Sequence, residues 1–188
     1  MSAARVCVLF AEGFEELEAV TIVDVLRRAG VETVSVGVTA RDVTGSHGIT
    51  LRADTTLEQT ATSGRPWDMV VLPGGMPGAS NLRDDARVQA LLAAQHAGGG
   101  RIAAICAAPI ALASAGVLHG RRATSYPGFA DQLTGARYVE QPVVVDGPLI
   151  TSRGPGTALP FALALVAELC GAERAEALGR AMLATAVG

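Results

Sequence analysis

The residue best placed for chemistry is Cys106, which lies in the string AAICAAP at residues 103–109. An apolar run of strand type ends just before it, and an alanine-rich helical pattern begins just after it. A sharp turn from a buried strand into a helix exposes the side chain of the turn residue beside unpaired helix N–H groups. Because a helix N-terminus favours negative charge, we expect the pKa of this thiol to lie below its usual value. The position therefore predicts a nucleophile.

Burial as a small apolar side chain is the alternative role for any cysteine. We assign that role to Cys7, inside the first apolar run, and to Cys170, near the end of an apolar helix. The chain has three cysteines and no CxxC spacing, which argues against a disulfide framework and against a cysteine zinc site.

Composition excludes several other classes of function. All 15 basic residues are arginine, so the chain cannot form a lysine Schiff base and lacks the lysine of a Walker A loop. The net charge of −3 provides no electrostatic footprint for nucleic acid. We expect one domain over residues 1–188 that is soluble and has no membrane span. Because the N-terminus lacks the pattern of a signal peptide, we expect a cytoplasmic location.

Strand-like runs alternate with helical patterns, which is typical of a mostly parallel sheet with helices on both faces. We predict strands at residues 5–11, 32–38, 69–72, 101–105 and 149–152. The spacing predicts helices at residues 15–29, 86–97, 107–115, 157–169 and 173–186. Between the second and third of these strands, residues 42–57 predict a small β-hairpin around Ser46, His47 and Gly48.

Three loops follow carboxyl ends of the predicted strands, at residues 11–18, 72–75 and 105–109. In an open α/β sheet ligands bind at that edge, so we expect these loops to converge. Gly74 and Gly75 would allow backbone N–H groups to approach a ligand, and with the amide of Ala107 they could form an oxyanion hole. A simple tight turn is the alternative interpretation of the two glycines.

Three carboxylates, Glu15, Glu16 and Glu18, open the first predicted helix. A favourable interaction of their negative charges with the helix dipole is sufficient to explain their position. Glu18 also shares a helical stripe with Ile22 and Val25, where desolvation would raise the pKa of a carboxyl and suit it to acid–base work. Periodicity does not choose among the three, because Glu15 and Glu16 also neighbour apolar stripes.

The chain resembles the ThiJ/PfpI superfamily, and within it the Parkinson-disease-protein and YajL branch. The resemblance rests on five motifs in collinear order: GFEELEAV (13–20), VDVLRRAG (23–30), VVLPGG (70–75), AAICAAP (103–109) and TSRGPGT (151–157). It implies a flavodoxin-like fold, which is a three-layer sandwich of the class I glutamine amidotransferase type, and a homodimer. It also implies that Cys106 is oxidation-sensitive and selects Glu18 as the carboxyl that hydrogen-bonds the thiol.

The resemblance implies a glutathione-independent glyoxalase or a deglycase that acts on methylglyoxal or on its protein and nucleotide adducts. In that chemistry Cys106 attacks the aldehyde, Glu18 relays a proton, and the amides of Gly75 and Ala107 hold the oxyanion. No metal or organic cofactor is needed. The alternatives are a cysteine-based oxidative-stress sensor or redox-regulated chaperone, and a hydratase or hydrolase for another small electrophile.

Departures from the family pattern bear on activity. Several relatives place a histidine where this chain has Tyr126. Its phenol could donate a hydrogen bond to a substrate, but it is a poor base at neutral pH, so turnover could be slow. Ala107 stands where the protease-like branch has a histidine, and this disfavours peptidase activity. Arg28 matches a family position near a subunit boundary and the active site, and His47 falls close to where relatives carry another basic residue. Both are candidate substrate- or anion-binding residues, although Arg28 also suits the C-terminus of its helix.

Overall fold

The computed structural model describes residues 4–60 and 65–184. Its strands are β1 (Arg5–Phe10), β2 (Glu32–Gly37), β3 (Asp42–Thr44), β4 (Thr50–Arg52), β5 (Thr55–Thr56), β6 (Met69–Leu72), β7 (Arg101–Ile105), β8 (Arg122–Ala123), β9 (Arg137–Tyr138), β10 (Val143–Asp146) and β11 (Leu149–Ser152). Its helices are α1 (Glu16–Arg28), α2 (Leu57–Thr60), α3 (Gly78–Asp84), α4 (Ala86–Ala97), α5 (Pro109–Ser114), α6 (Ala158–Cys170) and α7 (Ala172–Ala181). None of the helices in these ranges is long and apolar enough to cross a membrane.

The centre of the fold is a seven-stranded sheet in the order β10-β11-β7-β6-β1-β2-β5. Neighbouring strands run parallel, except that β10 pairs antiparallel with β11 at one edge. From β1 the chain proceeds to β2 on one side and later to β6 on the other, so the strand order reverses at β1. Such a reversal opens a crevice at the carboxyl ends of the strands.

Helices cover both faces of the sheet, as the alternation of side chains along β1 illustrates. Val6 and Val8 pack in the layer that holds α1, α6 and α7. Cys7 and Leu9 point to the opposite layer, which holds α2 to α5. Because successive side chains of a strand face opposite ways, each central strand contributes to two cores. The predicted flavodoxin-like α/β sandwich is confirmed.

All five predicted strands and the hairpin are present, the hairpin as β3 paired antiparallel with β4. The prediction missed α3, whose sequence GASNLRD is short and begins with small residues typical of turns. It also missed β10, an antiparallel edge strand. The last helix ends at Ala181, and residues 185–186 of its predicted span lie outside the described residues.

Two predicted details are wrong. Cys170 is exposed rather than buried, because α6 carries it on the solvent side of its final turn. The helix after Cys106 begins at Pro109 rather than at residue 107. A proline suits the first helical position, and the two alanines before it form a turn instead. Cys106 therefore precedes a helix of only six residues by a two-residue turn.

The three predicted loops do converge at the carboxyl edge of the sheet. The N–H of Glu15, at the start of α1, donates to the carbonyl oxygen of Gly74 at 2.8 Å. The N–H of Cys106, just after β7, donates to the carbonyl oxygen of Ser152 at the end of β11, at 3.0 Å. The first bond joins the loops after β1 and β6, and the second joins the turn after β7 to the end of β11. The turn after β7 meets the other two loops at Gly74, whose backbone packs against the Cβ of Cys106.

Gly74 is the position where this convergence leaves least space, and Gly74→Ala tests it. A Cβ atom there would lie 2.5 Å from the Cβ of Cys106 and 2.9 Å from Oε2 of Glu18. Since neither neighbour can move freely, we expect Gly74→Ala to lower the free energy of unfolding by about 1–3 kcal/mol in urea titrations. Gly156→Ala is the control, because nothing lies within 4 Å of a Cβ there. Equal stabilities of the two variants would contradict the packing described.

Candidate active site

Cys106 forms a sharp elbow between β7 and α5. Its φ is +63°, in the left-handed region that a non-glycine residue enters at a cost of roughly 1–2 kcal/mol. Hydrogen bonds hold it there, since its N–H donates to Ser152 and its carbonyl accepts from the N–H of Tyr126 at 2.9 Å. The side chain is only partly buried and packs against both cores. The turn thus presents the thiol at the crevice, as the sequence predicts.

Glu18 lies one turn into α1, on the same face as Ile22 and Val25, and its accessible surface is zero. One carboxyl oxygen, Oε2, accepts the N–H of Gly74 at 2.7 Å. The other, Oε1, is buried and has no hydrogen-bond partner among the described residues. A buried charge with an unpaired oxygen is unfavourable, so this environment favours the protonated carboxyl.

The pKa of Glu18 reflects that environment. Burial raises the pKa to about 7, and the nearby charge of Glu15 adds to the rise. The Gly74 N–H and the Cys106 thiol act in the opposite direction. At neutral pH the carboxyl is therefore divided between its two protonation states, which is the condition that a proton relay requires.

The expected lowering of the Cys106 pKa is wrong. Burial, followed by the negative charge of Glu18, raises the pKa of this thiol to about 12, although the N–H groups of Gly75 and Ala107 favour the thiolate. The short helix α5 is a weak source of dipole compared with a carboxylate beside the sulfur. When Glu18 holds a proton the repulsion disappears while both N–H donors remain, so the pair can carry one negative charge but resists carrying two.

Gly75 and Ala107, whose amides are the predicted oxyanion donors, lie beside Cys106, and their N–H groups act to lower the pKa of its thiol. Their part in holding an oxyanion stays a prediction. Gly75 has a φ of +91°, and a Cβ there would lie 2.4 Å from the backbone nitrogen of Glu15. Only glycine fits this turn, and the arrangement places two donors beside an atom that could bond to a substrate carbon.

The structure also distinguishes the three glutamates of α1. The Oε1 atom of Glu16 accepts the N–H groups of His47 at 2.8 Å and of Ile49 at 3.2 Å, so Glu16 attaches the hairpin turn to the helix. Glu15 caps the helix start without a side-chain hydrogen bond to the backbone, and Oε2 of Glu15 lies 3.4 Å from Nδ1 of His47. Glu18 is the one that reaches Cys106.

Two other predicted site residues do not approach Cys106 within one chain. Arg28 bonds Asp24 at 2.6 Å and lies ten residues beyond Glu18, which is about 15 Å along a helix axis. His47 is exposed and pairs with Glu16 at 3.0 Å. Their role in anion binding at a subunit boundary, and the homodimer itself, stay predictions.

Tyr126 does lie beside the elbow, through the backbone hydrogen bond to Cys106 already described. Its side chain is half exposed and its ring lies against Gly154, in the loop that follows β11. Sequence reasoning assigned no role to Arg153 in the same loop. The signal that could have found it is its position one residue beyond the carboxyl end of β11, the edge at which the other site residues lie.

Comparison with known proteins matches residues 4–168 to the DJ-1/PfpI family. Protein dj-1beta of Drosophila melanogaster is 44% identical over 179 residues, which cover 94% of this chain and 95% of that protein. The crystal structure of Drosophila melanogaster DJ-1beta superposes with a TM-score of 0.93 at 43% identity, covering 97% of this chain and 98% of the other. A Caenorhabditis elegans protein named glutathione-independent glyoxalase DJR-1.2 is 35% identical over 169 residues, 89% of each chain.

The raised pKa of Glu18 predicts a specific loss of stability as pH rises. The unfolded carboxyl releases its proton near its ordinary pKa of 4.5, whereas the folded one keeps it to about pH 7. Between these values the folded state binds more protons, so the free energy of unfolding falls with rising pH. Glu18→Gln cannot ionise and should escape this loss, which is on the order of 3 kcal/mol in urea titrations across the window.

The matched control is Glu176→Gln, on the exposed face of α7, which should follow the wild type. Parallel pH curves for the wild type and Glu18→Gln would show that Glu18 titrates as an ordinary exposed carboxyl.

Proposed function

The chain belongs to the DJ-1/PfpI family, and on that premise we propose that it is a glutathione-independent glyoxalase that converts methylglyoxal to lactate. The observation that carries the proposal is the pairing of a half-buried thiol, Cys106, with a buried carboxyl, Glu18, whose Oε1 has no hydrogen-bond partner among the described residues. This isomerisation requires a nucleophile and, close to it, a group that can accept and donate a proton.

The first step joins the thiolate of Cys106 to the aldehyde carbon of methylglyoxal. A C–S bond forms and the aldehyde oxygen becomes an oxyanion. The N–H groups of Gly75 and Ala107 lie beside the sulfur and would donate to that oxygen. Glu18, protonated while the thiolate exists, passes its proton to the oxyanion and gives a neutral hemithioacetal.

The second step moves hydrogen between the two substrate carbons. The carboxylate of Glu18 removes the proton from the former aldehyde carbon, which leaves an enediolate, and returns it to the neighbouring carbon, while the hydroxyl proton passes from the oxygen of the first carbon to that of the second. The product is a lactoyl thioester of Cys106, which water cleaves to release lactate and the thiol. Methylglyoxal and one water become lactic acid, and no external oxidant or reductant is consumed. A carboxyl pKa of about 7 suits both proton transfers near neutral pH.

We extend the proposal to methylglyoxal adducts of proteins or nucleotides. These adducts carry the same pair of adjacent carbons, and the partly exposed Cys106 is accessible from the crevice. On such a hemiaminal the thiolate would displace the amine, so that the C–S bond forms as the C–N bond breaks and the proton of Glu18 goes to the leaving amine. The resulting hemithioacetal would then follow the second step, and water would release lactate.

Lactate formation from methylglyoxal without glutathione tests the proposal. The reduced wild type should form lactate, and both Cys106→Ala and Glu18→Gln should lower kcat/KM by at least about 100-fold, because each removes one of the two chemical groups. Cys170→Ala and Glu173→Gln are matched controls at exposed positions and should retain the wild-type rate. Absence of lactate from the reduced wild type would refute the proposed activity, whatever the variants do.

A second candidate function is an oxidation sensor, and the donors around Sγ favour it. The N–H groups of Gly75 and Ala107 that stabilise a thiolate would equally accommodate the oxygens of a sulfinate on Cys106. Two equivalents of peroxide would convert the thiol to the sulfinic acid and release two waters. In this case mass spectrometry should find two added oxygens at Cys106, and the oxidised protein alone should suppress aggregation of a heat-unfolded client. Equal suppression by the reduced protein or by Cys106→Ala would exclude the sensor.

A further inference from the structure

An open depression lies next to the chain segments that are hydrogen-bonded to the backbone of Cys106. Its volume is about 210 Å³, and it is lined by Tyr126 and Pro127 on one side and by residues 153–157 on the other. Both walls are attached to the nucleophile: the Tyr126 N–H donates to the Cys106 carbonyl, and the Cys106 N–H donates to Ser152, one residue before Arg153. The depression therefore adjoins the elbow that carries the nucleophile.

Arg153 brings a positive charge to the depression. Its side chain is 27% exposed, and its guanidinium makes no hydrogen bond to any residue of the described ranges. Its one ion pair within them is with Glu140 at 3.9 Å, and the side chain of Glu140 is itself 73% exposed. A guanidinium offers five donors in a planar fork, so a largely unsatisfied one at the wall of a depression is suited to an anion.

Tyr126 provides the opposite wall. Its aromatic ring lies against Gly154, where a Cβ would be 3.4 Å from the ring carbon Cδ2. The ring is half exposed and faces the same depression as Arg153. An aromatic wall opposite a cation fits a short carbon chain that ends in an anionic group.

We infer that Arg153 and Tyr126 form a subsite for the anionic end of an α-oxoaldehyde, so that a substrate bearing a carboxylate is preferred to methylglyoxal. The inference rests on the proposed glyoxalase function and names its substrate class. A suitable probe is 4,5-dioxopentanoate, in which the carboxylate is four bonds from the aldehyde carbon. Cys106 bonds to that carbon, the proton moves to the neighbouring ketone carbon, and water releases 2-hydroxyglutarate from the thioester.

A chemical test that needs no turnover compares alkylation of Cys106 by iodoacetate, an anion, and by iodoacetamide, its neutral analogue. The ratio of the two rate constants, followed by peptide mass spectrometry at Cys106, isolates the effect of charge. Arg153→Gln should lower the iodoacetate-to-iodoacetamide ratio roughly fivefold, since one partly screened charge-assisted contact is lost. Arg153→Lys should restore most of the ratio because it retains the charge.

The control for lost positive charge is Arg180→Gln, on α7, where the arginine is exposed and pairs only weakly with Glu176. It should keep the wild-type ratio. If Arg153→Gln also keeps that ratio, Arg153 does not bind anions at this site and the inference is overturned.

Kinetics separate this inference from the proposed function. The wild type should show a higher kcat/KM for 4,5-dioxopentanoate than for methylglyoxal, and Arg153→Gln should reduce that preference roughly fivefold. Tyr126→Ala should raise the KM for the acidic substrate. Turnover of methylglyoxal without a preference for the acid overturns the subsite and leaves the glyoxalase intact. Turnover of neither substrate overturns the glyoxalase, and the alkylation ratio then decides the subsite alone.

Discussion

Burial of the Glu18 carboxyl beside the Cys106 thiol is the constraint on which the rest of the site depends. With no accessible surface and with one oxygen unpaired within the described chain, the carboxyl keeps its proton to about pH 7. That proton decides how readily the thiol ionises, because a thiolate and a neighbouring carboxylate repel each other in a medium of low dielectric constant. The two groups therefore titrate as a coupled pair that accepts one negative charge far more readily than two, and neither can be described by its ordinary acid–base behaviour.

The fold supplies what such a pair requires. Reversal of the strand order at β1 brings the loops after β1, β6 and β7 to one edge of the sheet. Because Gly74 has no side chain, the loop after β6 lies closer to Cys106 and Glu18 than a Cβ atom would allow. The N–H of Gly74 donates a hydrogen bond to one oxygen of Glu18. The left-handed elbow turns Cys106 toward the same point. Close packing and backbone strain at this edge are thus the structural conditions for placing a carboxyl against a thiol.

Most of the framework could be predicted from sequence because it follows from periodicity. Buried parallel strands appear as short apolar runs, and helices such as α1 and α4 appear as longer periodic segments with recognisable ends. The helix α3 could not be predicted in this way, since its small residues are also typical of a turn. The exposure of Cys170 was not predicted for a different reason. Near the end of an apolar helix, the position of a residue within the last turn decides whether its side chain faces the core or the solvent.

The two central residues of the candidate site, Cys106 and Glu18, could be predicted from the sequence, but their pKa values could not. The strand-to-helix turn identifies Cys106, and the family resemblance selects Glu18 from three adjacent carboxylates that periodicity alone leaves equivalent. A helix N-terminus suggests a low thiol pKa, yet α5 begins only at Pro109, and burial of the thiol together with the charge of Glu18 outweighs the helix. The position of Arg153 just after β11 hinted at this edge of the sheet, but the depression that it shares with Tyr126 forms only in the fold, between residues far apart in sequence.

A carbon-13 NMR titration of the Glu18 side-chain carboxyl in the reduced protein tests the pairing of this carboxyl with Cys106. We expect a midpoint near pH 7, because the carboxyl is buried against Cys106. A midpoint near the ordinary value of 4.5 would contradict it, because Glu18 would then be fully ionised at neutral pH and unable to donate a proton in the reaction.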